Sequence, residues 1–391
     1  MNRRKRSCDE IYRIAPKPIR PDRDFAEQTC HGRWMDEAFE EGLVSVIIPT
    51  YNREQFITDA MDSVLSQAYR PIELLVVDDG STDDTRAVVA EWKDKSSGAD
   101  GLSLRYLVQE KQGAPAARNL GMIESRGEYI QFLDSDDVLS SRKIRNQVSL
   151  FPLAKSNIAT YSDYGYFTFS KGRVVVDYKK IAPPENDLLA ATLSGWWVPC
   201  NVPLWRRKDV SKLGPWQEDL EAGQDTEYTR RFLFGGGTFV YCAQSLCYIR
   251  KHKMPSIGAI ARKRGAFESR VQTAVQAEEY LKNAGLLTRY GPHLARSYFG
   301  HAMAATLHPD IKTFCLMKSR ELSPAGWDMP GTFLRRLRRI VFRKILGIPL
   351  GGNFLHLCER FRGILGKSTH APDMSFSSVK DLYCGNRKSL E

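Results

Sequence analysis

The 391-residue chain has no run of eighteen consecutive apolar residues, which excludes a membrane-spanning helix within the sequence. Its basic start, Met1–Arg6, is followed by Asp9 and Glu10 where a secretory leader needs an apolar stretch. A cytoplasmic protein is the expectation, attached at most to the cytoplasmic face of a membrane. The eight cysteines include no CxxC pair, and no His stands at zinc-finger spacing from them, so a zinc ribbon or finger is excluded and reduced thiols are expected. There is no low-complexity tract and no repeat at solenoid period. With 42% hydrophobic and 26% charged residues, the remaining reading is a globular protein long enough for one large domain with appendages, or for two.

Positive charge is in excess by 11, and its location decides its meaning. From Gly331 to Glu391 twelve Lys and Arg face four Asp and Glu, so eight of those eleven charges lie in the last stretch. Within it, Phe333 to Leu346 holds six basic and no acidic residues, and on a helix Leu334, Leu337, Val341, Ile345 and Ile348 share one face. Such a helix over 333–348 can lie in an anionic membrane surface, or it can pack on the body with its Arg side chains in water. No nucleic-acid recognition fold surrounds it, so nucleic acid is not an expected partner.

Residues 1–42 mix Pro, Arg, Asp and Glu without periodicity and read as an irregular arm. From Val44 to Ile48 a buried strand is predicted, ending at Pro49. Helix and strand patterns then alternate: a helix near 54–67, strand 73–77, helix 82–93, strand 104–108, helix 114–125 and strand 129–133. That alternation implies βαβ units, hence a parallel sheet with helices on both faces and ligands at the carboxyl ends of the strands. The middle segment, about 158–250, is aromatic, with short strand-like runs at Tyr164–Phe169 and Arg173–Tyr178. After Lys263 the apolar spacing turns helical.

Two acidic clusters stand at predicted strand ends. Asp134, Ser135, Asp136 and Asp137 place three carboxylates within four residues, a donor set that suits a hard divalent cation whose shell a substrate phosphate completes. An acidic turn capping the next helix explains the same spacing equally well. Asp78 and Asp79 precede the turn at Gly80, where a carboxylate can accept a hydrogen bond from a base; capping accounts for Ser81, Thr82 or Asp83 better than for this pair. Paired acids beside a metal also occur in receiver domains of response regulators. Those need a phosphorylatable Asp and a Lys at later strand ends, where this chain has its second acidic cluster.

Taken together, these segments resemble the family 2 glycosyltransferases over about Val44–Ser256. The resemblance implies the GT-A fold, an α/β architecture with a mostly parallel, Rossmann-like sheet flanked by helices, followed here by a helical C-terminal region. It implies a domain at 43–260, a helical extension at 261–330 and a basic amphipathic region at 331–391. The segment Val44–Arg53 is similar to the family's first strand and nucleotide loop, so Pro49, Thr50, Tyr51 and Arg53 are implied at the donor, with Tyr51 against the base. Asp79, with Asp78 beside it, matches the acid that contacts uracil in relatives using uridine donors. Arg118, in the segment Gly113–Gly121, matches an Arg facing the donor. Asp134, Ser135 and Asp136 match the motif often written DxD, which implies a Mn²⁺ or Mg²⁺ ion held by Asp136 and Asp137, with His252 of Tyr248–Ser256 completing the shell.

The segment Ala222–Tyr228 resembles the family's Glu-Asp motif, which makes Asp225 the implied catalytic base; Gln224 replaces the usual Glu, and Glu227 is a further carboxylate nearby. Trp196, Trp197, Asn201 and Gln224 fall where relatives shape the acceptor pocket, one Trp expected in the core and the other in contact. The implied reaction is transfer of a sugar, with inversion, from a nucleotide-diphosphate donor, a UDP-sugar by expectation, to a hydroxyl of a glycan or lipid-linked saccharide, as in surface polysaccharide synthesis. A sugar-nucleotide-binding scaffold with weak catalysis is the alternative; Gln224 favours it and Asp225 opposes it.

Overall fold

The computed structural model describes residues 25–153, 157–170, 173–179, 187–252, 263–324, 374–376 and 378–384. Residues 1–24 of the expected arm, the segment beyond His252 to Ser256 and the basic stretch 333–348 lie outside them. The chain divides into two compact units, residues 1–322 with 373–391, and residues 323–372, of which Ser323 and Pro324 are described. Every helix and strand among the described residues belongs to the first unit.

Four parallel strands, β1 (Glu40–Thr50), β2 (Ile72–Asp78), β3 (Leu102–Val108) and β4 (Gly127–Phe132), stand side by side in the order β4-β1-β2-β3. The connecting helices are α1 (Ile57–Leu65), α2 (Thr85–Lys95) and α3 (Ala114–Glu124). Val44, Val46, Ile47 and Ile48 are fully buried, so β1 reads as a continuous apolar run because helices cover both faces of the sheet. Polar residues in this layer are paired: Ser45 Oγ donates to Glu73 Oε1 at 2.6 Å and accepts from Gly127 N at 2.8 Å. Gly121 lets α3 lie directly on β1, since a Cβ there would sit 2.3 Å from Ile47 Cγ2.

The second half of the sheet is mixed. After β5 (Val138–Leu139) and α4 (Lys143–Val148) come β6 (Ile158–Ser170), β7 (Arg173–Lys179), α5 (Leu188–Leu193), β8 (Leu204–Arg206), α6 (Arg207–Leu213), α7 (Gln224–Phe234) and β9 (Thr238–Arg250). Strand β8 joins β4 to β6, antiparallel to both, while β9 runs parallel to β6. Where short runs among turns were expected, β6 and β9 are each 13 residues long. A carboxylate that interrupts the apolar pattern is buried with a partner: Asp163, 2% exposed, accepts from Tyr241 OH at 2.7 Å.

Helices α8 (Arg264–Asn283), α9 (Leu287–Ala304) and α10 (Pro309–Leu322) form the expected helical region, packed through Val271, Leu281, Leu294, Tyr298 and Phe314 together with Leu193 of α5. Its buried carboxylate, Glu278, is satisfied by Lys318 at 3.0 Å and Tyr298 OH at 3.1 Å. The chain then returns to the sheet. β10 (Met374–Phe376) adds antiparallel to β7, and α11 (Val379–Cys384) packs Val379 and Tyr383 against Val138, Phe167 and Tyr248.

Candidate active site

The carboxyl ends of β1, β2 and β4 carry three loops that are tied to one another. Past Pro49 and Thr50, Asn52 takes the left-handed conformation (φ 51°), which a short polar side chain tolerates, and its Oδ1 accepts from Thr82 N at 2.8 Å. Asn52 N donates to Ser81 Oγ, and Arg53 N to Thr85 Oγ1, each at 2.9 Å, so the loop after β1 is knitted to the loop after β2. The Thr50 hydroxyl is buried without a hydrogen-bond partner among the described residues. Lys111 Nζ lies 3.5 Å from the centre of the Tyr51 ring.

The two acids after β2 differ in what they hold. Asp78 accepts from Ser81 N at 2.8 Å and from the Tyr106 hydroxyl, which makes it a brace for the turn. Asp79, 4% exposed, accepts from Gln109 Nε2 (2.7 Å), Gln112 N (2.8 Å) and Gly113 N (2.9 Å). A carboxylate has about four lone-pair positions, so one remains for a ligand.

The loop Asp134–Asp137 is fixed at both ends: β4 precedes it, and Val138 of β5 pairs with Tyr248 of β9. That register brings Arg250 opposite the acids. Arg250 N donates to Asp137 Oδ1 at 2.8 Å, Nε to the Asp136 carbonyl at 2.9 Å and Nη2 to Asp59 Oδ2 at 2.6 Å, and its guanidinium is flanked by Phe56 and Phe167. The other Asp137 oxygen accepts from the Asn201 amide, whose Oδ1 in turn accepts from Asp134 N at 2.8 Å. Burial, then the neighbouring Asp136 and Asp134, push the Asp137 carboxyl well above its usual range, against the pull of its two N–H donors.

Two of the expected site residues are held by groups of the protein itself. Asp137, implied as a metal ligand, has both oxygens engaged by protein donors, because strand pairing draws it inward. Asn201, implied at the acceptor pocket, is 1% exposed and serves as the strut of the acid loop. Ser135 is buried as well.

Asp136 points the other way. Its Oδ2 lies 2.9 Å from His252 Nε2 and 3.7 Å from Arg53 Nε, and the His252 ring stacks on Phe56 with centroids 4.8 Å apart. His252 Nδ1 is buried without a partner among the described residues. Adjacent ligands of an octahedral ion at about 2.1 Å are about 3.0 Å apart, so the Asp136 and His252 donors are spaced to share one. Among the described residues no group of three or more His, Cys, Asp or Glu side chains could hold a metal. A shell built here is therefore completed by substrate oxygens or water, as oxygen-seeking divalent ions commonly have it.

Across the loop, the fully buried Trp216 carries the second cluster, stacked on Tyr228 of α7 (centroids 4.1 Å apart) and edge-on to Phe132 of β4. Over it lies the Arg118 guanidinium, donating to Asp134 Oδ1 at 2.9 Å and to Gln224 Oε1 at 3.0 Å. Asp225 stands in the first turn of α7, partly open to solvent, near the Trp197 side chain and Cys200 N. Burial raises its carboxyl to about 6; Arg118 opposes that rise, Asp134 adds to it, and the two N–H donors hold it down. Glu227, the competing carboxylate, is buried and paired with Arg231 at 2.7 Å. Trp196 packs on the core, edge-on to Tyr161, while Trp197 is 38% exposed.

Sequence reasoning met Asn52 and Arg250 only as members of matching segments, and missed Trp216 as part of this site. A cleft of about 750 Å³ lies at the opposite ends of β1 and β4, lined by Trp34, Phe39, Arg105 and Arg126 among others, and includes none of the site residues.

Residues 45–181 match the glycosyl transferase family 2 model. A glycosyltransferase of Haemophilus influenzae is 35% identical over 141 residues, 36% of this chain and 54% of that protein. The Escherichia coli UDP-Glc:alpha-D-GlcNAc-diphosphoundecaprenol beta-1,3-glucosyltransferase WfgD is 37% identical over 147 residues, 37% of this chain and 53% of that one. The chain thus spans about half the length of these relatives. The crystal structure of S. aureus TarS 1-349 in complex with UDP-GlcNAc has TM-score 0.49 and 18% identity, covering 71% of this chain and 88% of that one. The matched residues 45–181, which hold most of β1 and all of β2 to β7 with their connecting helices, are thus similar to glycosyl transferase family 2.

Proposed function

We propose that the protein transfers a sugar, with inversion, from a nucleotide-diphosphate donor to a hydroxyl of a glycan or lipid-linked saccharide, and that UDP is the nucleotide. The observation that carries this reading is the pairing, at one end of the sheet, of an ion-spaced Asp136–His252 couple with a carboxylate poised near 6, Asp225, on the other side of Arg118. UDP and a lipid-linked acceptor are favoured because both stand in the name of WfgD.

The residues divide the work between donor and acceptor. Tyr51 offers its ring and Asp79 its remaining lone pair to the base, once Lys111 leaves the ring face. Arg118 and Arg53 supply positive charge beside the diphosphate. Asp136 and His252 would hold a divalent ion, Mn²⁺ suiting the imidazole, which when bound would supply Lewis-acid stabilisation of the departing diphosphate. Asp225 takes the proton of the acceptor hydroxyl as its oxygen attacks the anomeric carbon and the bond to the diphosphate breaks on the opposite face. One displacement needs no covalent intermediate.

A panel of nucleotide-sugars with Mn²⁺ and Mg²⁺, scored by donor hydrolysis and by thermal shift, tests this. UDP-sugars are expected to raise the melting temperature in the presence of the ion, and Asp136→Ala to lose the ion-dependent part. A shift of equal size in Asp136→Ala removes that residue from the ion site.

A further inference from the structure

Lys143, the first residue of α4, is fully buried, and its partners are two neutral amides where a buried cation usually has a carboxylate. Its Nζ donates to Gln131 Oε1 of β4 and to Gln147 Oε1, one turn along α4, each at 2.5 Å. A primary amide has an oxygen and an NH2 of nearly the same shape, so a buried Gln sits either way round unless a partner decides. Lys143 decides for both. It brings N–H groups whether charged or neutral, so only the oxygens can face it.

The NH2 ends are thereby turned away from the lysine, and both meet the same stretch of chain. Gln131 Nε2 donates to Asn201 O at 2.8 Å, and Gln147 Nε2 to Val202 O at 3.1 Å and Thr160 O of β6 at 3.0 Å. Two consecutive carbonyls of the Trp197 loop, residues 194–203, are thus tied down from one buried amine. Asn201 is the strut of the acid loop: its Oδ1 accepts from Asp134 N at 2.8 Å and its amide donates to Asp137. Lys143, Gln131, Gln147 and Asn201 are each 1% exposed or less, so the hydrogen bonds run without a break through dry core.

We propose that Lys143 is a positioning residue for the ion site: by orienting Gln131 and Gln147 it sets where Asn201 stands, and with it the acid loop that holds Asp136 against His252. The inference rests on the reading of Asp136 and His252 as donors to a divalent ion. A flipped amide turns its oxygen toward a carbonyl of residue 201 or 202, and the two oxygens repel. The loss then travels along the loop to Asp134 and Asp137, on either side of Asp136.

The test uses the full chain as Lys143→Met, which keeps the length of the side chain and removes its N–H groups, and as Gln131→Met, which removes the first link and leaves the lysine. UDP affinity is titrated with and without Mn²⁺. Affinity without the ion is expected to stay within about twofold of wild type, and the gain from Mn²⁺ to fall about tenfold or more in each variant, the scale of a lost partner behind a metal ligand. The double variant is expected to lose no more than either single one, because the two groups act in series. Hydrogen exchange gives a readout without the ion: the Asp134 amide is expected to exchange faster in Lys143→Met, while Val46 in β1 keeps its protection. An unchanged gain in Gln131→Met breaks the relay and overturns the proposal, whether or not Lys143→Met folds. Equal losses with and without Mn²⁺, or losses that add in the double variant, reduce the lysine to a packing role. UDP binding indifferent to Mn²⁺ in the wild type is a separate failure, of the ion reading, and the Asp134 amide then decides the role of Lys143.

Discussion

Asp225, the proposed base, has a proton affinity set by its neighbours. Burial alone would leave it too readily protonated; the Arg118 cation and two N–H donors return it to about 6. In the proposed mechanism its charged form is the active one. Turnover is therefore expected to be full above that pH and to fall about tenfold per unit below it. Gln224 matters here because it meets Arg118 as a neutral partner, leaving the cation to act on Asp134 and Asp225. Gln224→Glu places a second carboxylate on the guanidinium and is expected to move the acid limb to higher pH by about one unit, read from the pH dependence of donor hydrolysis. An unmoved limb contradicts this account of the base.

At the level of elements, the acid loop is held by strands that come from far along the chain. β5 pairs with β9, and behind them α11 seats Tyr383 among Val138, Phe167 and Tyr248, with Tyr383 O accepting from Ser141 N at 2.9 Å. Tyr383→Ala is expected to cost about 3 kcal/mol in chemical denaturation and to weaken Mn²⁺-dependent stabilisation beyond that loss. Such support was not legible in the sequence. The run Val44–Ile48 announced its strand because both faces of β1 are covered, and the helix near 114–125 was announced by the alternation of strand and helix patterns around it. Asn201, Arg250 and Trp216 carried no comparable signal, because their roles exist only once β9, the Trp197 loop and α7 close around residues 64 to 114 positions away. The acid clusters were visible as charge at strand ends. The division of labour among Asp134, Asp136 and Asp137 was not, since it depends on which way each side chain is drawn by its partners.

Across the whole molecule, the positive charge has a separate address. Among the described residues no helix is long and apolar enough to cross a membrane, and the residues proposed to meet donor and acceptor belong to the first unit. The basic stretch 333–348 is proposed to meet an anionic lipid surface. Replacing Arg335, Arg336, Arg338 and Arg339 by Gln is expected to weaken binding to phosphatidylglycerol vesicles by about three powers of ten, at roughly 1 kcal/mol per charge, with donor hydrolysis in solution unchanged. Vesicle binding that survives the four substitutions assigns the membrane contact elsewhere.

The central claim is that one carboxylate, distinct from the acid loop, removes the acceptor proton while the loop holds the donor. The direct measurement is donor turnover by Asp225→Asn beside its affinity for UDP with Mn²⁺. The account predicts affinity within about twofold of wild type and turnover lower by at least a hundredfold, the scale of a lost general base. Wild-type turnover from Asp225→Asn would contradict it.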